Sequence, residues 1–391
     1  MDKALLFSEQ ISSFLVLSSM RIFVLIIAFQ MATLQAGYSQ QPIAPKTAEG
    51  QDQIKVLTEE VRISINAYDQ YGRFDPTLEL SDLLVREDGV VQQLKSLYRT
   101  PANVLLVLDT GVKQNSAKNV RLTREVAISI VSKLQKDDQI SVMQINDRVE
   151  LVHNWTASKP EIVKSLNNRL FARNGLALSK GIMAAVNHFQ QVPLGNRHLI
   201  MVTDGVESAS DKDEHAYAMK RLIAANITVH VMSYTSLGQN TRKPSVTRPR
   251  EKSSVPEEVI LSMPRQHGAG DPRPDMVDVL RAKGGTVVDL ERLWKKGYKE
   301  YDEAMERSEQ EMTKLVEETG GGMWLPLSAE EMLNQTSEVA QDVDSQYVIT
   351  YRPKRPLASS AGGEYRKIDI ISRRNGLNVR SRRGYIMPDA Q

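Results

Sequence analysis

Two acidic residues stand where an apolar run gives way to a loop. Asp109 closes Val104-Leu-Leu-Val-Leu108, and Asp204, followed by Gly205, closes His198-Leu-Ile-Met-Val-Thr203. A carboxylate so placed either faces a ligand beyond the strand end or caps the turn that follows. Glu300, Asp302, Glu303, Glu306, Glu309 and Glu311 crowd one segment. Paired carboxylates can move protons, but this spacing reads as the solvated face of a helix. The six histidines, at 153, 188, 198, 215, 230 and 267, show no metal-ligand spacing, and His230 inside an apolar run reads as a satisfied buried histidine. There is no Gly-x-Ser-x-Gly elbow, no His-Glu-x-x-His and no phosphate-binding glycine loop. Trp155, Trp294 and Trp324 stand singly, as core or interface residues do. Cysteine is absent, which excludes disulfides, thiolate catalysis, Cys-ligated zinc or iron–sulfur sites and a lipidated cysteine anchor.

The elements that would position Asp109 and Asp204 alternate. Val104–Leu108 is continuously apolar, as a parallel strand covered on both faces must be. A helix is predicted over about 118–135, with Val120, Val126, Ile130, Val131 and Leu134 as its stripe. Gln139–Ile145 is the next strand and Val149–Val152 an edge. Helices fit 159–170 and 178–191, the strand His198–Thr203 follows, then a helix over 213–225 and the strand Ile227–Met232. Strands alternating with helices predict an α/β fold, a Rossmann-like, mostly parallel sheet with helices on both faces. Ligands bind such sheets beyond the carboxyl ends of the strands.

Small β segments are expected on both flanks, over 54–100 and 351–391. Glu60–Tyr68 alternates polar and apolar, Leu83–Val91 reads as two strands across Asp88-Gly89, and Gln346–Tyr351, Arg366–Ile371 and Leu377–Arg380 are strand-like. Residues 235–297 read as an insertion, basic and Pro/Ser-rich around Arg242–Lys252, with a short helix at Met276 and a strand at Thr286–Leu290. A charged amphipathic run from Tyr298 to Thr319 carries Tyr301, Met305, Met312, Leu315 and Val316 on one stripe and ends at Gly320. With the strand Met323–Pro326 it returns the chain to the main sheet, before a helix over 328–343. Ten basic residues against two acidic ones between Arg352 and Arg383 could present a face to anionic polymers or lipid headgroups, or form a solvated sheet.

The 391 residues, at about 150 per domain, suggest two to three domains. Fifty basic against 48 acidic residues give a net charge of +2, so bulk charge argues for neither nucleic acid nor membrane. Met20-Arg21, the apolar stretch Ile22–Phe29 and the small residues Ala36, Gly37 and Ser39 read as a signal peptide over 1–39, its translation starting at Met1 or Met20. The apolar core is short for a membrane span of about 20 residues. A linker, 40–53, follows.

Leu106-Val-Leu-Asp109-Thr-Gly, the loop Asn174-Gly-Leu-Ala-Leu178 and Met201-Val-Thr-Asp204-Gly205 come in an order and spacing that resembles a von Willebrand factor type A (VWFA) domain, over about 101–350. Val85–Val90 upstream, with Gln346–Tyr351 and Val379–Tyr385 downstream, look like exported bacterial proteins of this class, of the kind abundant in acidobacteria. The resemblance implies adhesion or protein binding, often through a divalent cation held by an Asp-x-Ser-x-Ser run, a Thr from a second loop and an Asp from a third. Such oxygen ligands suit Mg²⁺.

Here Asp109 keeps the first position, but Gly111 and Lys113 replace the serines, Leu176 stands at the Thr position, and only Asp204 remains of the third loop. The expectation is a degenerate adhesion site with no cofactor, in which the Lys113 ammonium pairs with Asp109 or Asp204 in place of metal. Thr110, Ser116, Glu207 or Ser208 could instead rebuild a weak Mg²⁺ or Mn²⁺ site on Asp109 and Asp204. The protein is therefore expected to be an exported, non-enzymatic interaction or adhesion module with a protein partner, no nucleic acid and no membrane span after signal cleavage. Its binding surface would be the loops at 110–117, 173–178 and 204–210. The alternative is a secreted hydrolase or binding protein for an acidic polymer, using the basic insertion and the C-terminal sheet.

Overall fold

The computed structural model describes residues 60–111, 118–207, 211–241 and 290–387. The expected signal peptide, linker and first residues of the N-terminal β segment lie outside them. So do Lys113, Ser116, Ser208 and residues 242–289 of the insertion, including the helix expected at Met276 and the strand expected from Thr286.

A six-stranded sheet forms the centre, in the order β10-β9-β8-β5-β6-β7. Its strands are β5 (Asn103–Asp109), β6 (Gln139–Ile145), β7 (Val149–Thr156), β8 (Arg197–Thr203), β9 (Thr228–Ser233) and β10 (Met323–Trp324). All pairs are parallel except β6 with the edge strand β7. The run Val104–Leu108 is apolar throughout because both faces are covered. Val104, Leu106 and Leu108 pack with α1 (Val120–Lys133), α2 (Lys159–Arg169) and α7 (Ala329–Asp344). Leu105 and Val107 pack with α3 (Leu178–His188), α4 (Lys212–Ala224) and α6 (Leu290–Thr319). This is the Rossmann-like α/β architecture expected from the alternation. From β5 the chain runs outward to β6 and β7 on one side, and from β8 to β9 and β10 on the other. The carboxyl ends of β5 and β8 thus border the switch point, where open α/β sheets hold ligands.

The ends of the expected insertion are helical. Residues Thr235–Thr241 form the short helix α5 with Leu237 buried, and Leu290 opens α6, which extends eight residues further toward the N-terminus than the stripe from Tyr298 indicated. The stripe itself is as expected: Tyr301, Met305, Met312, Leu315 and Val316 are all buried.

The two flanking β segments do not stand apart. β1 (Val61–Tyr68), β4 (Leu94–Tyr98), β11 (Gln346–Tyr351) and β13 (Asn378–Ser381) form one sheet; β2 (Leu83–Glu87), β3 (Val90–Val91), β12 (Tyr365–Ser372) and β14 (Gly384–Ile386) form another. Val61 pairs with Tyr351 and Val85 with Ile370, so both sheets combine the N- and C-terminal segments. Ile63, Ile65, Val85, Ile349, Tyr351 and Ile368 fill a core that the sheets share.

Six of the ten basic residues between Arg352 and Arg383 are engaged within the chain. The wholly buried Arg366 donates to Glu87 Oε1 at 2.7 Å, and the buried Arg382 donates to Ile223 O at 2.8 Å. Arg355 pairs with Asp88 and Glu364, Arg374 with Asp75, Arg380 with Asp342 and Arg383 with Glu317. Part of the local charge excess thus knits the C-terminal strands to their neighbours, while Arg352, Lys354, Lys367 and Arg373 stay exposed.

Candidate functional site

At the switch point the two strand-end carboxylates share one cation. Lys118 Nζ donates to Asp109 Oδ2 at 2.7 Å and to Asp204 Oδ1 at 3.0 Å, and all three side chains are almost completely buried. Lys118 immediately precedes Asn119, whose side chain caps α1 by accepting from Leu122 N at 2.7 Å. The cap fixes where the chain enters the helix, and so where the lysine stem begins.

Each carboxylate has further donors. Asp109 Oδ1 accepts from Gly111 N at 2.8 Å, and Oδ2 also accepts from Thr203 Oγ1 at 2.8 Å. Asp204 Oδ1 accepts from Val206 N at 3.1 Å, and Oδ2 from Tyr301 Oη at 2.9 Å. Burial disfavours the Lys118 ammonium, but the Asp109 and Asp204 charges outweigh it and hold its pKa well above the ordinary lysine value. Burial pushes the Asp109 carboxyl upward, against the pull of Lys118. Charge-assisted bonds of this length are the strong class, and here water does not compete for them.

The ammonium between the two aspartates is that of Lys118; the expected one, Lys113, lies outside the described residues. Gly111 is held by a bridge to Arg173. A Cβ at position 111 would stand 2.2 Å from the Gly175 carbonyl oxygen, so a serine there would require the backbone to move. Leu176 is buried in the apolar core beneath α3. Thr110, also buried, is engaged with Ile145 O and Asn146 Nδ2. Among the described residues the donor set does not fit a divalent cation: an ammonium sits between the two carboxylates, and Gly111 and Leu176 bring no hydroxyl. Among the described residues no cluster of three or more acidic or histidine side chains could hold a metal.

The site is closed from one side by α6. Besides the Tyr301 bond, Ser308 Oγ donates to Asp204 O at 2.7 Å, and Tyr301, Met305 and Val206 form a small apolar cluster. Gly205 has a left-handed backbone, φ 68°, and a Cβ there would meet Ser308 Oγ at 2.2 Å, so glycine allows the helix to approach this closely. The apolar stripe of α6 is legible in the sequence; its contact with Asp204, nearly a hundred positions away, has no local signal.

A serine–histidine pair that sequence reasoning missed lies beside the site. Ser179 Oγ is 3.1 Å from His215 Nδ1, and Glu207 accepts from Ser179 N at 2.9 Å and Ser179 Oγ at 2.7 Å. Glu311 of α6 lies 3.4 Å from His215 Nε2. This arrangement is not a nucleophile and its base. Ser179 is buried and already donates to Glu207, and the bond with Glu207, helped by Glu311 and opposed by burial, raises the His215 pKa toward the cation. The cluster instead ties α3, α4, the Asp204 loop and α6 together. A group whose folded pKa is raised stabilises fully below its unfolded value and loses that contribution as pH rises through the folded value. His215→Gln is thus expected to cost about 1–2 kcal/mol at pH 5.5 and much less at pH 8.5, read by urea denaturation at both values. An equal cost at both would show that His215 contributes packing alone.

The loop between α2 and α3 faces outward. Phe171 is 59% exposed and Leu151 of the edge strand 41%, and with Arg169, Arg173, Gln144 and Glu150 they line a groove of about 640 Å³.

Residues 103–253 match the family model of the von Willebrand factor type A domain. No relative was found among curated proteins. Among solved structures, the chain is similar to the conserved hypothetical protein BatB from Bacteroides thetaiotaomicron, with 16% identity and a TM-score of 0.37, over 62% of this chain and 99% of that one. It is similar to an aerotolerance-related membrane protein from Bacteroides fragilis, with 13% identity and a TM-score of 0.36, over 62% and 98%. A von Willebrand factor type A protein from Catenulispora acidiphila aligns over 85% of this chain and 75% of its own, with 9% identity and a TM-score of 0.40.

Proposed function

This chain carries a von Willebrand factor type A domain over residues 103–253, and on that premise we propose that it is an exported, non-enzymatic module that binds a partner protein at the cell envelope. The observation that carries this reading is the outward groove beside a closed polar floor. Asp109, Lys118, Asp204 and Leu176 are buried, so they position the loops and leave contact to the side chains around them. Phe171 and Leu151 offer apolar area and Arg173 a planar donor fork, the residue types from which protein interfaces draw their affinity. Export rests on the signal-peptide pattern of residues 20–39. Among the described residues no helix is long and apolar enough to cross a membrane.

The test uses the chain from Gln40 onward as bait in cross-linked envelope fractions, with and without chelator. Capture of a specific protein is expected to fall about tenfold or more with Phe171→Asp/Arg173→Glu, a loss typical of removing two anchors, and to be unchanged by chelator. Equal capture by the double variant would refute the surface, and loss in chelator would refute the metal-free reading.

A further inference from the structure

We infer that Lys118 is a tethered resident cation: its ammonium occupies the position between Asp109 and Asp204 that a divalent ion would need, and a chain deprived of that ammonium takes up a divalent ion there. This deepens the metal-free reading of the site and rests on it. The geometry supports the exchange in both directions. One nitrogen touches both carboxylates, at 2.7 and 3.0 Å, so a single small cation can bridge them. Mg²⁺ and Mn²⁺ need oxygen distances near 2.1 Å, so each carboxylate would close in by less than about 1 Å. Such ions are often held by only one or two carboxylates, with water completing the shell, so the missing hydroxyl positions weaken the site without abolishing it. Thr203 Oγ1, 2.8 Å from Asp109 Oδ2, remains alongside as a further oxygen.

Electrostatics sets the direction. With Lys118 present the two anions are already bridged, and a divalent ion would have to displace a covalently attached cation whose local concentration no solution ion matches. Without it, two buried carboxylates face each other without that counter-ion, an arrangement that either protonates one of them or recruits a cation. Lys118→Ser removes the charge, opens space and adds a hydroxyl.

The experiment is titration of Mn²⁺ into chelator-treated wild type and Lys118→Ser, followed by the electron paramagnetic resonance of free Mn²⁺ and by melting temperature. Lys118→Ser is expected to bind one Mn²⁺ about 100-fold more tightly than wild type, with a rise in melting temperature that wild type lacks. Adding Asp204→Asn is expected to abolish both. A folded Lys118→Ser chain that takes up no Mn²⁺ overturns the inference, as does stoichiometric uptake by wild type that Asp204→Asn removes. Should Lys118→Ser fail to fold, the wild type decides by itself. Its Lys118 ammonium is expected to give a slowly exchanging ¹⁵N–¹H signal that millimolar Mn²⁺ leaves sharp, and selective broadening of that signal overturns the proposal. Partner capture in chelator is a separate readout, so failure here leaves the interaction reading standing and distinguishable.

Discussion

Lys118→Met is expected to lower the unfolding free energy by about 3–5 kcal/mol, the usual consequence of leaving buried charges without their counter-ion. The stem of methionine replaces most of the packing, so the loss isolates the ammonium. Asp109 and Asp204 keep the bonds from Gly111 N, Thr203 Oγ1, Val206 N and Tyr301 Oη, but these neutral donors do not replace a full charge. Neutralising the acids along with the base is expected to recover most of the loss, because a buried ionic triad and its uncharged replacement often differ little. Lys118→Met/Asp109→Asn/Asp204→Asn should therefore unfold close to wild type in urea. The pH dependence has a definite sign. The folded ammonium holds its proton more tightly than the unfolded one, so its contribution is complete below the unfolded value of 10.5 and declines only above it. The cost of Lys118→Met is thus expected to be flat between pH 6 and pH 9 with respect to the lysine. If the triple variant is no more stable than the single one, packing by the lysine stem outweighs the charge.

Much of the frame around this cluster is legible in the residues. The apolar runs ending at Asp109 and Asp204 identify two strand ends, because only strands covered on both faces are apolar at every position. The stripe from Tyr301 to Val316 identifies the buried face of α6 for the same kind of reason. Counting along an Asp-x-Ser-x-Ser pattern points to Lys113 by position, and Lys113 lies outside the described residues. The ammonium that does lie between the carboxylates is that of Lys118, nine residues beyond Asp109 and just ahead of the Asn119 cap, a spacing that the motif does not encode. The joint β layer was also illegible. Val61 and Tyr351 pair across nearly three hundred positions, and alternation within a strand carries no information about which distant strand completes its ladder. Ser179 and His215 escaped notice for the same reason: each is unremarkable in its own helix, and only α3 packing beside α4 brings them together.

Asp342→Ala is expected to produce a loss of similar size, about 3–5 kcal/mol, at the opposite end of the sheet. Asp342, on α7, joins the α/β sheet to the β layer. Its carboxylate accepts from Tyr68 of β1 and from Arg380 of β13, and lies 3.1 Å from His230 Nδ1 of β9. His230 Nε2 is in turn 2.9 Å from His198 Nδ1, and His198 Nε2 donates to Asn196 Oδ1 at 2.7 Å. Both histidines are wholly buried, and removing the carboxylate leaves an arginine and a tyrosine to share one missing acceptor. Burial alone would push Asp342 up, but His230, Arg380 and Tyr68 hold it well below the ordinary aspartate value. A carboxylate with a depressed folded pKa contributes fully above its unfolded value of 3.8 and loses that contribution as pH falls through the folded one. The gap between wild type and Asp342→Ala is therefore expected to be widest near neutral pH and to narrow below pH 4. His198 acts in the same sense: burial, with the neighbouring His230, holds its pKa well below 6.5, so acidification costs stability as the unfolded chain takes up the proton that the folded one refuses. That term is not common to both chains: Asp342 pulls the His198 pKa upward, so its removal deepens the acid penalty of the variant and offsets part of the narrowing. Denaturation of each chain at pH 7 and at pH 3.5 separates the two. A constant difference would assign Asp342 a packing role, whereas a shrinking one identifies the charged anchor through which the α/β sheet and the β layer unfold together.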